Sequence, residues 1–242
     1  YIGESAFNNS SYTNIAYVSY MYGSTGSIAN ARTNQKNSST IKDKIDNWYK
    51  INLEAKGYTK YLSTTAVYCN DRTYTVSGDT YFGAYTRLIT NKTPSYDCAT
   101  TEDKFTVDSS TGNGKLTYPI ALMTADEVSF AGGIYANYNA NAWYFRNAKE
   151  GTLTTSSSSI DGSYSSTGYG AWLLLSPYDS YENYSRTFSV YANHPGFLNY
   201  AGYTSGFSFV RPVISLKSCV KTSGGDGSAN APYTIEETTS GC

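Results

Sequence analysis

His194 is the only histidine in the chain, so any serine–histidine–acid arrangement would have to use it. It stands in Ala192-Asn193-His194-Pro195-Gly196, which reads as a turn between two strands. A lone turn histidine is expected to be a surface residue, not a general base. The four cysteines, Cys69, Cys98, Cys219 and Cys242, contain no C-x-x-C pair and stand far from His194 in sequence. A zinc site needs clustered ligands, so no metal is expected here. An even count in a secreted-looking chain reads as two disulfides. Proximity favours Cys69–Cys98 and Cys219–Cys242, although three pairings are open. Each bond could add about 3 kcal/mol by restricting the unfolded chain.

Carboxylates pair at Asp126–Glu127, Glu102–Asp103 and Glu236–Glu237. The first pair is accounted for by a helix start, and the other two are expected to be solvated in polar loops. Asp226, in Gly225-Asp226-Gly227, lacks the alternating acids of a calcium loop. Asn70-Asp71-Arg72 follows Cys69 directly, and its expected role is structural, with Asp71 and Arg72 pairing or bonding backbone beside a disulfide. Catalytic residues and cofactors are therefore expected to be absent.

The elements that position these groups are sparse. Residues 122–133 read Leu-Met-Thr-Ala-Asp-Glu-Val-Ser-Phe-Ala-Gly-Gly. Thr124 and Glu127 have capping-box spacing, and Gly132 can stop the helix, so a helix is expected at about 125–131. A longer helix is expected at about 39–55, with Ile41, Ile45, Trp48 and Leu53 on one face. Ser38 or Ser39 caps it and Gly57 ends it. Residues 1–38 read as short strands or loops. Strands are expected at 84–89, 143–146, 171–175, 186–191 and 207–216, and the run Ser156–Ser159 reads as a flexible loop. After Lys217 the composition shifts to Gly, Ser and Thr. The organisation expected is one α+β domain over 1–217 and a tail over 218–242. With Gly224-Gly225-Asp226-Gly227 as a turn and Pro232-Tyr233-Thr234-Ile235 as a short strand, the tail is expected to be closed by Cys219–Cys242.

Composition excludes several function classes. Charged residues are only 15% and the formal net charge is −1. A nucleic-acid binder would need a basic stripe, so none is expected. No apolar run is long enough for a membrane helix, and no membrane insertion by this segment is expected. The chain lacks an initiator Met and a signal peptide, and reads as a mature or trimmed product. Aromatics are 16%, with 26 Tyr, which separates the chain from polar disordered sequences. Polar positions are dominated by Tyr, Ser, Asn, Thr and Gly, as in binding loops. The plainer account is that secreted β-rich proteins share this composition.

Residues 122–133 resemble the short helix of the formylglycine-generating-enzyme branch of the C-type-lectin-like fold. That helix runs Leu-Pro-Thr-Glu-Ala-Glu-Trp-Glu-Tyr-Ala-Ala before its glycines. Leu122, Thr124, Glu127 and the glycines match, while Met123 and Val128 depart from it. Trp172-Leu173-Leu174-Leu175-Ser176-Pro177 resembles the tryptophan-bearing core strand and the turn after it. Val210-Arg211-Pro212-Val213-Ile214-Ser215-Leu216 resembles the closing strand. The order is similar to that in a group of surface proteins of Gram-positive gut bacteria, some with a pilin-like helix. The resemblance covers roughly residues 39–217 and implies the fold more than the activity. The family's reactive cysteines would fall within 186–216, where this chain has none. Nor does it carry the Glu-Pro-Asn or Gln-Pro-Asp and Trp-Asn-Asp motifs of calcium lectins.

The resemblance implies a C-type-lectin-like domain at the cell surface or outside the cell. Such a domain would be a non-catalytic adhesin-type module, or the exposed head of a pilus-like filament subunit. A divergent enzyme on the same fold is the alternative. In that fold the stretch between the tryptophan strand and the closing strand forms the exposed binding face. Here it carries Tyr178, Tyr181, Tyr184, Tyr191, Phe197, Tyr200 and Tyr203. Its expected partners are a protein or glycan surface ligand, or copies of the chain itself. The plainer account of these aromatics is alternate packing on strands.

Overall fold

The computed structural model describes residues 2–77, 79–140, 171–182, 184–191, 194, 196–227 and 231–241. The chain is mixed α+β, with strands predominating and one large sheet. The sheet contains β1 (Glu4–Ala6), β2 (Tyr74–Ser77), β3 (Asp79–Phe82), β4 (Ile134–Tyr135), β5 (Ala171–Tyr181), β6 (Tyr184–Tyr191), β7 (Phe197–Tyr203) and β8 (Phe207–Phe209). Its order is β1-β8-β5-β6-β7-β4, and the β2–β3 hairpin pairs with the far end of β5. Only β5–β8 and β7–β4 pair in parallel; the other pairs are antiparallel.

β5 explains why the core has two layers. Leu173 and Leu175 join Ile41, Ile45, Tyr20 and Phe105 in one buried cluster. Trp172, Leu174 and Tyr178 join Phe188, Val190, Leu198 and Phe209 in the other. Successive side chains leave opposite faces of a strand, so a continuous apolar run marks a strand covered on both sides.

The first layer is built by the helix Thr40–Tyr49, where Ser39 Oγ accepts from the Lys42 N–H. Ile41, Ile45 and Tyr49 bury one face. The expected single helix over 39–55 changes at Lys50–Glu54 into a wider π turn and ends at Gly57. Gly57 takes a φ of 74°, a conformation that disfavours side chains. The second layer is built by the short helix Ala125–Phe130. Its capping box is complete: Glu127 N–H donates to Thr124 Oγ1 (3.1 Å) and Thr124 N–H donates to the Glu127 carboxylate (2.7 Å). Gly132 follows with a φ of 103°.

Several expectations are corrected. Residues 84–89 are not a strand: Gly83–Tyr85 is helical and Thr86–Asn91 continues as a π turn. Ala84 and Leu88, four apart, both join the second core cluster, a spacing that one helix face satisfies. Pro177 does not begin a turn. β5 runs on to Tyr181, with register shifts on both sides of the Pro177–Thr187 pair. Proline has no N–H for the ladder, and a bulge absorbs that defect. The expected strand 207–216 is divided. Phe207–Phe209 joins the main sheet, while Pro212–Val213 pairs with Ala121–Leu122. Residues 1–38 also hold a helix, Ile28–Arg32, capped by Ser27. The expected strand 143–146 and loop 156–159 lie outside the described residues.

Cys69 and Cys98 form a disulfide. Cys219 is also disulfide-bonded, and Cys242 lies outside the described residues. The tail contains the hairpin Thr222–Gly224 with Thr234–Ile235. Thr238 ties it to the body by donating its N–H to Tyr61 Oη (2.7 Å) and accepting from Lys60 Nζ (2.6 Å).

Candidate functional site

At the open end of the second core layer the apolar cluster gives way to tyrosines around one ion pair. Asp179 on β5 and Arg186 on β6 are direct cross-strand partners. Arg186 Nε donates to Asp179 Oδ1 at 2.8 Å, and Nη2 makes a second short contact with Oδ2. The guanidinium lies 3.9 Å from the Tyr200 ring centroid, 4.6 Å from Tyr184 and 5.4 Å from Tyr178. Burial alone would lower the Arg186 pKa, but the bonds to Asp179 reverse this and hold it above its usual value. The cation position of this aromatic box is therefore filled by the chain itself.

The sheet explains why these rings converge. Tyr184 and Arg186, two apart on β6, share a face. Tyr200 and Tyr203 are three apart on β7 and would ordinarily face opposite ways. A register shift between the Arg186–Tyr203 and Phe188–Tyr200 pairs re-phases the strand and brings both rings to Arg186 and Tyr184. Tyr12 stacks on Tyr203 with centroids 4.7 Å apart. Tyr203–Tyr184 and Tyr184–Tyr181 follow at 5.8 Å each. Tyr12, Tyr181, Tyr200 and Tyr203 are 41%, 41%, 38% and 48% exposed, so this row is open to solvent.

The seven aromatics named from the sequence separate in space. Tyr181, Tyr184, Tyr200 and Tyr203 form the exposed row or border it. Tyr178 is buried beneath it, its hydroxyl 2.8 Å from that of Tyr135, and burial followed by this bond raises its pKa. Phe197 is also a core residue, and Tyr191 meets it edge-on. Tyr178 and Phe197 therefore support the face and do not present it. Arg186, Asp179 and Tyr12 were not expected. The first two were traceable in the sequence as opposite charges equidistant from the centre of the Tyr181–Tyr184 hairpin. Tyr12 had no such signal, because its stacking depends on a contact across 191 positions.

A concavity of about 140 Å³ lies beside the Cys69–Cys98 disulfide and is lined in part by Asp71, Arg87, Tyr96, Asp126 and Glu127. Its charged groups are engaged with one another. Arg87 donates to Asp126 through two 2.8 Å bonds and contacts Asp71 through Nη1. Asp71 also accepts from the Thr73 N–H, and Glu127 serves the helix cap. Asp71 thus pairs with Arg87, not with its neighbour Arg72.

Arg72 instead lies fully buried on Asp103, which also binds Arg32. Asp103 is corrected from a solvated loop acid to a buried counterion, while Glu236 and Glu237 are exposed. His194 donates its backbone N–H to Tyr191 O, and its ring packs on Tyr138 and Phe197. Among the described residues no group of three His, Cys, Asp or Glu side chains could hold a metal ion, and no helix is long and apolar enough to cross a membrane. No family model, curated protein or solved structure matches this chain.

Proposed function

We propose that the chain is a non-catalytic module of an extracellular or cell-surface protein, built on a C-type-lectin-like fold of the formylglycine-generating-enzyme branch. It holds a protein or glycan partner on the aromatic row. The observation that carries this reading is the solvent-open line Tyr12–Tyr203–Tyr184–Tyr181, in which Tyr184 rests on the Arg186 guanidinium that Asp179 holds. Tyrosines locked in place bring contact area with little ordering entropy left to lose on binding. The supporting ion pair is already neutralised, so the row presents rings and hydroxyls, with exposed Glu182 in the turn between Tyr181 and Tyr184. The capped helix, the tryptophan strand and the disulfide support the fold and address.

The test is binding of the purified chain to a glycan microarray and to a panel of immobilised extracellular proteins. A ligand that Tyr181→Ala and Tyr203→Ala each weaken at least tenfold, with thermal midpoints lowered by no more than about 4 °C, supports the reading. Ligands bound equally by both variants, or no ligand in either format, would overturn it.

A further inference from the structure

We propose that the open edge of β4 and the groove beside it take the C-terminal tail strand of a second copy of this chain, joining copies head to tail. Among the described residues, β4 is the last strand of the large sheet. Its flanking donors are spent on β7: Ile134 N–H donates to Gly196 O and Ala136 N–H donates to Leu198 O, each at 2.9 Å. Backbone groups alternate along a strand, so Tyr135 turns its own N–H and C=O to the side away from β7. Ala136 turns the chain at a φ of 53°, so among the described residues the edge offers the Tyr135 pair of backbone groups, a short template for another strand.

A groove of about 350 Å³ borders that edge. Leu88, Ile89, Pro94, Ile134 and Leu198 give it an apolar lining, and Lys92 supplies its cation. Ile134 is 52% exposed. The site thus offers a strand edge, room for an apolar side chain, and a positive charge. These together select an extended peptide with an apolar residue next to a carboxylate.

The tail carries that pattern. Among the described residues, Thr234–Ile235 pairs on one side only, with Thr222–Gly224. Ile235 is followed by Glu236 and Glu237, both exposed. Within one chain the tail is held elsewhere: Thr238 is bonded to Tyr61 and Lys60, and no described tail residue lines the groove. The strand that reaches the groove therefore comes from a second copy. Donor and acceptor are different surfaces, so the contact is heterologous and repeats into a ring or an open filament. It shares no residue with the exposed aromatic row and stands or falls separately.

Sedimentation velocity of the full chain up to about 1 mM tests it. The wild type is expected to associate as concentration rises. Lys92→Glu and the double change Glu236→Lys/Glu237→Lys should each weaken association about tenfold or more. The three changes combined should restore it, since they exchange the charges across the contact. These side chains are exposed, and near-ultraviolet circular dichroism checks that each variant is folded. A wild type that stays monomeric, association indifferent to either reversal, or no recovery in the combined variant would each overturn the proposal.

Discussion

Arg87 grips Asp126 as a fork, Nε to Oδ1 and Nη2 to Oδ2, each bond 2.8 Å long. The pair joins two segments that are otherwise remote in sequence. Arg87 lies on the turn inside the loop closed by Cys69 and Cys98, and Asp126 sits in the first turn of the capped helix. Asp126 Oδ1 also accepts from the Ser95 N–H, near the other end of that loop. One carboxylate therefore holds both the helix start and the disulfide loop. The acid also lies favourably at the helix N-terminus.

Asp126→Asn should destabilise the fold by about 3 kcal/mol, because Arg87 keeps Asp71 as its one counterion and an amide NH2 replaces one acceptor of the fork. Urea unfolding at neutral pH measures this. A change below about 0.5 kcal/mol would show that Asp71 alone suffices and that the fork contributes nothing measurable.

Asp103→Asn should cost more, about 3–5 kcal/mol, since Arg72 is fully buried and Asp103 is its counterion. Arg72 also donates to Met21 O and Gln35 Oε1, so those bonds remain in the variant. Burial lowers the Arg72 pKa, Asp103 chiefly opposes this, and removal of the acid leaves the burial cost without its main compensation. Arg32, partly exposed, can turn to water and should matter little: Arg32→Gln is expected to cost about 1 kcal/mol or less. The ratio of the two losses is the measurement, and equal losses would contradict this assignment of the buried charge.

These networks show what the sequence made legible and what it hid. Local signals were readable: the Thr124–Glu127 box, the Ser39 cap and the Gly57 stop each depend on residues within a few positions. The Trp172–Leu175 run was readable as a buried strand because its apolar character is continuous. Residues 84–89 misled because Ala-Tyr-Thr-Arg-Leu-Ile satisfies strand composition, whereas the Arg87 contacts to Asp71 and Asp126 fit the helical turn observed. Asp103 misled because acids between polar residues look solvated unless their partners, 31 and 71 positions away, are known. In the aromatic face, composition located the stretch. Composition could not separate Tyr178 and Phe197 from Tyr181 and Tyr203, because bulges on β5 and β7 reset which face each residue meets.

Alkaline stability should report on Tyr68. Its hydroxyl donates to Pro119 O at 2.7 Å, and burial pushes its pKa up to about 12. In the unfolded chain the same group ionises near its ordinary value of about 10. Between these values the folded state holds the extra proton, so stability falls as pH rises. The contribution lost is about 2–3 kcal/mol across that window. Tyr68→Phe should flatten the decline between pH 10 and 12 relative to wild type, although Tyr20 and Tyr178, also raised by burial, keep part of it. An unchanged slope in urea titrations over that range would show that Tyr68 does not carry the shift.

The aromatic row and its support should separate by stability. Tyr178 is 5% exposed, packs on Phe188 and bonds Tyr135, so Tyr178→Ala should cost about 3–5 kcal/mol. Tyr181 and Tyr203 are 41% and 48% exposed, and alanine at either should cost about 1 kcal/mol or less. Tyr200 is the informative intermediate. It is 38% exposed, yet its ring lies 3.9 Å from the Arg186 guanidinium. If its role is to hold Arg186, Tyr200→Phe should leave stability within about 0.5 kcal/mol while Tyr200→Ala loses about 1–2 kcal/mol. If alanine at Tyr181 and Tyr203 proves as damaging as at Tyr178, the row is a core element, and the surface reading of these tyrosines fails with it.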